Sequence, residues 1–367
     1  RSIMARVVSA TLEAAQSAAS RTPYIKLLFT SYSGATTYDF SIDSPAYGNR
    51  ILLIDHSEEA YRDDNVTVVL RNYDRALDDI DLTGYWTEIG YGDDVAGVKY
   101  SSTARLWVKH QQLISAAGRV ICILQLEGMW TKLAETLLIM GDPPYYIAKT
   151  NAALGEPGYV AGFSQQSFTV YQIIDHILGL INPVMSSYFW AVVDDIINTY
   201  IPNFTINETQ PFESAAVSIY RLIKMTRSFL KPKMLLLFEI RYPKEEDAVD
   251  MSYYSDRSPY FYDYLEQINI VIPNRVMLLA NAGADNLWLP EGIITAQADD
   301  TASQAKYGVV PIVELAPEIT NQIDADRRAS AVLQRYKLEQ LAAKLTIPHD
   351  CRVELYDRIA INDSRGY

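Results

Sequence analysis

The hydrophobic period changes twice along this chain, and that limits the folds it can adopt. In residues 24–31, Ile25, Leu27 and Phe29 alternate with Lys26 and Thr30, the period of two expected of a strand with one buried face. Residues 50–55, 66–70, 104–110 and 120–127 repeat the pattern between Gly, Asn, Asp and Ser clusters. This part reads as an antiparallel β domain. From about residue 129 the period lengthens. Residues 188–201 set Phe189, Val192, Val193, Ile196, Ile197 and Tyr200 on one helical stripe. Residues 212–225 do the same with Ala215, Ala216, Ile219, Leu222 and Ile223. Thr169 and Gln172 have the spacing of a capping box, opening a helix through Leu180. Residues 141–162, punctuated by Pro and Gly, are expected as a loop.

The strand period then returns. Met234, Leu236, Phe238 and Ile240 share one face of a predicted strand over 234–242. Residues 268–280 read as a strand pair broken at Pro273, which cannot donate into a central ladder. Residues 244–258 and 296–308 are polar and expected as exposed loops. Residues 323–345 predict a helix stopped by Pro348. Residues 351–355 and 359–361 read as strands with a turn or bulge at Asp357, and nothing follows the last one to pair with it. The expected class is α+β: a β domain, a mainly helical insertion over 129–232, then a second β domain.

With 367 residues, 49% of them apolar, the chain can bury two or three domain cores. Its 26 tyrosines suit interfaces and sheet surfaces. A net charge of −13 makes a poor phosphate-binding surface. Cys122 and Cys351 each lie in phase with apolar neighbours and are expected to be buried free thiols. The longest apolar runs fall far short of the roughly 20 residues of a membrane helix. The first residues show no signal-peptide pattern. The Asn-x-Ser/Thr triplets at Asn65, Asn203, Asn207 and Asn362 read as chance. The chain opens Arg-Ser-Ile-Met and is expected to belong to a longer natural product.

No motif assembles a catalytic centre. His56, His110, His176 and His349 form neither His-Glu-x-x-His nor His-x-His. Asp55-His56-Ser57-Glu58-Glu59 is dense in ligand types but has no second cluster at suitable spacing, so a solvated turn is expected. Asp79-x-Asp81-x-Thr83-Gly84 begins like a calcium loop, yet its twelfth position is Gly90, not Glu. Gly155, Gly158 and Gly162 lack the lysine of a phosphate loop, and there is no Gly-x-Ser-x-Gly elbow. No catalytic, cofactor or metal residue is assigned, and no cofactor is expected.

Residues 66–93 carry a resemblance. They form a strand ending at Asn72, a turn with Asp74, then Asp81-Leu82-Thr83-Gly84, then a strand ending Tyr91-Gly92. This resembles the tail hub proteins of tailed bacteriophages and of related secretion spikes. Residues 12–23, leading into Thr22-Pro23-Tyr24, are similar to the family's entry into its first strand. Pro273-Asn274-Arg275-Val276 is similar to the strand start of its second β domain. Asp357-Arg358-Ile359 resembles its closing Gly-Asp-x-Val strand, with Tyr356 in place of the Gly.

The resemblance implies two antiparallel β-barrel-like tube domains: an arm over 1–20, a first hub domain over 21–128, the helical insertion, and a second hub domain over 233–367 with a late helix at about 323–345. It also implies a homotrimer in the virion at the tail tip, forming a pseudo-sixfold ring. Its partners would be the tail tube or distal tail protein, the tape measure protein and a spike or central fibre, with DNA passing through unbound. The alternative is a tail-associated envelope-degrading enzyme or glycan-binding module on a β scaffold.

Overall fold

A computed structural model describes residues 6, 8–59, 64–116, 118–138, 168–181, 195–202, 213–243, 247–266, 272–281, 293–316, 319, 321–339 and 343–364. Its first part holds helix α1 (Ala10–Gln16) and ten strands: β1 (Pro23–Lys26), β2 (Leu28–Thr30), β3 (Thr37–Asp39), β4 (Ile51–Ser57), β5 (Asn65–Arg71), β6 (Trp86–Thr87), β7 (Gly90–Asp93), β8 (Tyr100–Ser102), β9 (Leu106–Ala116) and β10 (Arg119–Glu127). A three-stranded sheet runs β1-β7-β8, and a seven-stranded sheet runs β3-β2-β6-β9-β10-β5-β4. The larger sheet is open, with β3 and β4 at its edges. The strand read over 24–31 is present as two, β1 and β2; Leu27 and Phe29 are core, but Tyr24 and Thr30 are buried as well and Ile25 only half-buried, because the chain changes sheet at Leu27. There the N–H donates to Ser41 Oγ at 2.9 Å, and the carbonyl accepts from Phe40 N. Leu27, Phe29, Phe40, Val68, Leu106, Cys122 and Leu124 form the shared core.

The middle part contains α2 (Met129–Glu135), α3 (Val170–Ile181), α4 (Asp195–Thr199) and α5 (Ala215–Lys224), followed by strands β11 (Phe229–Lys233) and β12 (Leu237–Arg241). α3 opens on the expected capping box: Thr169 N donates to Gln172 Oε1 at 2.9 Å, and Gln172 N donates to Thr169 Oγ1 at 3.3 Å. Thr169→Ala should therefore cost about 1 kcal/mol in urea denaturation, while Gln172 still satisfies one donor. Ala215, Ile219, Leu222 and Ile223 are buried as the stripe predicts. The loop read at 141–162 and the first half of the helix read at 188–201 lie outside the described residues.

The strand read over 234–242 is instead half of a hairpin. β11 and β12 pair antiparallel, and Met234–Leu236 is the turn between them, with φ near +60° at both Leu235 and Leu236. The apolar periodicity ran through the turn, which hid it. Phe238 and Ile240 share a face as expected, and that face packs into the core built with the helices.

The last part comprises β13 (Met251–Tyr254), β14 (Asp263–Glu266), β15 (Arg275–Asn281), β16 (Ile293–Asp299), α6 (Thr301–Tyr307), β17 (Pro311–Ala316), α7 (Gln322–Glu339), β18 (Ala343–Thr346) and β19 (Ile359–Asn362). β15 sits between antiparallel β16 and parallel β17, and α7 covers one face. Several expectations are corrected here. Residues 296–308 are the end of β16 and α6, because Ala296 packs under α7 and Asp300 caps α6 by accepting from Ser303 N. The exposed loop read over 244–258 contains β13, which pairs in parallel with β19. The helix over 323–345 ends by Glu339, and Ala343–Thr346 pairs with β14 instead. Residues 351–355 are turns, because Arg352 folds its backbone N–H and guanidinium back onto Asp350. The turn read near Asp357 is present, with φ +75° at Tyr356. The class is α+β, dominated by sheet, with seven α-helices among the described residues. No described sheet closes into a barrel.

Candidate functional site

The densest chemistry lies where the N-terminal arm, the β11–β12 hairpin and the C-terminal turns meet. The hairpin has two different faces. Leu230, Phe238 and Ile240 point into the helical core. Lys231, Lys233, Glu239 and Arg241 carry charge on the other face, with Lys231 opposite Glu239 in register. That charged face is covered by the C-terminal turn. Glu354, only 1% exposed in its side chain, receives Arg6 Nη2 at 2.7 Å, Lys233 Nζ at 2.5 Å, Lys231 Nζ at 3.2 Å and Arg241 Nη2 at 3.5 Å. Lys233 also pairs with Glu239 at 3.0 Å, and Arg241 lies 3.8 Å from Asp357.

Four cations thus surround three carboxylates. Burial opposes the charge on Glu354, but Lys231, Arg6 and Lys233 overcome it and hold the carboxyl far below its ordinary value. Burial pushes Lys231 down to about 8 and Asp357 up to about 6. This cluster clasps three distant chain segments together. The alternation of Leu-Phe-Glu-Ile-Arg over 237–241 was the available signal for it. Charges in strand phase are normally read as a solvated face, and here that face is buried.

Beside the cluster two cavities open between the arm, the first sheets and the C-terminal turns. One of about 750 Å³ is lined by Arg21, Tyr24, Tyr253 and Tyr262 among others. A second, of about 410 Å³, is lined by Arg6, His56, Glu58 and Cys351. Tyr91 and His349 border both. The Tyr91 hydroxyl is 3.2 Å from His56 Nδ1, and its ring centroid is 4.6 Å from that of His349. Asp350 accepts from Tyr253 Oη at 2.9 Å and from Arg352. Gln16 donates to Asp93 and accepts from Cys351 N. Burial pushes both histidines below their ordinary range and raises Tyr91. It also pushes the Cys351 and Cys122 thiols up to about 11. Both cysteines are buried and free, and both are thiols rather than thiolates at neutral pH.

The other sequence candidates scatter. His110 is exposed on β9, and His176 lies on α3. Asp81 Oδ1 accepts from Thr83 N, Gly84 takes φ +80°, and Gly90 lies inside β7, so the calcium-like stretch builds turns and a strand. Gly155, Gly158 and Gly162 lie outside the described residues. Asp55–Glu59 is not a turn. Asp55, His56 and Ser57 belong to β4, and Glu58 follows it. His56, Glu58 and Asp64 bring one ligand-type atom each within 4.8 Å of the others.

The residues that carried the resemblance build turns. Buried Asn72 accepts from Leu77 N and donates to Asp78, while Asp74 receives both terminal nitrogens of Arg50. Asn274 closes the loop before β17, accepting from Val310 N and donating to the Gly308 carbonyl. Each side chain replaces backbone partners that the turn removes.

No protein-family model matches the chain, and no curated protein does. Solved structures do. The tail protein from Neisseria meningitidis MC58 superposes over 93% of this chain and 87% of its own, with a TM-score of 0.59 at 10% identity. The 43 kDa tail protein of prophage MuSo2 from Shewanella oneidensis superposes over 93% and 89%, with a TM-score of 0.55 at 14% identity. At these identities the shared property is the fold, and it extends over nearly the whole chain.

Proposed function

We propose that the chain is a structural subunit of a phage tail. The observation that carries this is a fold shared along 93% of the chain with two tail proteins. The order of the hub-like motifs supports a finer assignment: a tail-tip or baseplate hub acting in the virion. In that reading residues 21–128 and 233–367 each supply a tube domain, three subunits make a pseudo-sixfold ring, and residues 129–232 decorate it. The ring joins the tail tube, distal tail protein or tape measure protein to the spike or central fibre, and DNA passes through it without specific binding. The role is architectural rather than enzymatic.

A subunit of a ring must present apolar surface to its neighbours. The face of the β16-β15-β17 sheet opposite α7 does so: Met277, Val313 and Leu315 are 39%, 55% and 57% exposed. Light scattering should give about three times 41.4 kDa, and the assembled ring should not hold duplex DNA at physiological salt. Val313→Lys together with Leu315→Lys should shift the mass toward the monomer. A wild-type chain that stays monomeric at micromolar concentration when a tail-tube partner is added would overturn the hub reading.

A further inference from the structure

We propose that His56, Glu58 and Asp64 form a binding site for a divalent transition-metal ion of the zinc class. The β4–β5 hairpin creates it. His56 pairs with Val66 and Ser57 with Asn65, so Glu58 and Asp64 adjoin the last pair of the ladder, one on each chain segment. Side chains two apart on a strand share a face. Ile54 and His56 therefore lie on the side that carries Val66 and Val68. Val66 and Val68 are core and Asp64 is buried, so His56 turns inward, while Glu58 is exposed and borders the same cavity as His56.

The three donor atoms lie within 4.8 Å of one another. His56 Nε2 and Glu58 Oε1 are 3.7 Å apart. Two ligands at tetrahedral angles on a zinc ion, each about 2.0–2.1 Å from it, stand roughly 3.3 Å apart, so the His56–Glu58 pair needs a shift of a few tenths of an ångström and the Asp64 carboxylate, within 4.8 Å of both, turns in to complete the set.

A second observation points the same way. His56 Nε2 is buried and has no hydrogen-bond partner, whereas Nδ1 lies 3.2 Å from Tyr91 Oη. If Nδ1 donates to the tyrosine oxygen, the Nε2 lone pair is left for a ligand, the second-shell arrangement that fixes a metal-binding imidazole. One imidazole with two carboxylates selects zinc-class ions over magnesium or calcium, which prefer all-oxygen sets. The cavity of about 410 Å³ on which His56 and Glu58 border gives room for water to complete the coordination. This revises the expectation that the Asp55–Glu59 stretch lacks a partner cluster, because Asp64, six residues beyond Glu58 in sequence, brings a carboxylate oxygen within 4.8 Å of it. The inference does not depend on the tail assignment.

The test uses the whole chain, stripped with chelator and titrated with zinc chloride by calorimetry, with cobalt(II) absorption as a second readout. One equivalent per chain should bind, raise the melting temperature and give cobalt ligand-field bands. Glu58→Gln and Asp64→Asn should each weaken binding at least tenfold, and His110→Ala should leave it unchanged. Glu58 is exposed, so its variant tests ligation with little risk to folding, and the melting temperature of each metal-free variant checks this. An absence of saturable binding overturns the proposal. So does binding that survives Glu58→Gln with Asp64→Asn, since it would mean that His56 and Glu58 form only an ion pair.

Discussion

Glu354→Ala is expected to destabilise the fold by about 3–5 kcal/mol, because it leaves buried cations without their shared counter-ion. Lys231 is 4% exposed and Arg241 2%, so water cannot replace the carboxylate. Glu354→Gln keeps the volume and removes the charge, and it should reproduce most of the loss. Asp94→Ala, which breaks the exposed pair with Lys99, should change little. Urea denaturation of the three variants gives the comparison. Near-wild-type stability in both Glu354 variants would show that the cluster does not hold the segments together.

The same cluster sets a pH dependence with two opposed parts. The folded-state pKa of Glu354 lies below its ordinary 4.5. Its stabilisation is complete above that value and is lost as pH falls toward the folded pKa. Asp357 acts in the other direction. Its pKa rises from 3.8 to about 6, so its contribution favours folding below about pH 4 and is lost as pH rises through about 6. Asp357→Asn should remove the decline between pH 4 and 6, and Glu354→Gln should flatten the acid limb below it. Denaturation midpoints measured from pH 3 to pH 8 separate the two.

Gly92→Ala is expected to cost on the order of 3 kcal/mol through overpacking. A Cβ built there would lie 2.0 Å from the Lys99 carbonyl oxygen and 2.8 Å from Tyr100 Cα. Both are backbone atoms of the neighbouring chain segment, so the β7–β8 pairing must open to admit it. Gly90→Ala should cost less, because the nearest atoms belong to the Tyr100 ring and the Lys26 side chain. Thermal melts that rank the two variants the other way would show that β8 yields more easily than the ring. Gly92 closes the Tyr91-Gly92 pair of the hub-like motif, and close strand approach gives that glycine a physical reason.

Period alone located most of the first sheets and the helices. The alternation over 66–70 and 120–127 and the stripe of Ala215, Ile219, Leu222 and Ile223 became buried faces. Thr169 and Gln172 bonded each other as their spacing required. These features are local: a face is written in neighbouring residues, and a cap within four. Three others were decided by tertiary structure. The apolar run over 234–240 hid a hairpin turn, because nothing in Met-Leu-Leu announces a left-handed backbone. The charges of Lys231, Glu239 and Arg241 looked like a solvated strand face and became a buried clasp, because Arg6 and Glu354 reach them from the two ends of the chain. His56 and Glu58 acquired Asp64 as a neighbour only through the β4–β5 register. In each case the deciding partner lies across a fold-back or far along the sequence, where only the closed structure fixes which charge, carbonyl or ring it meets.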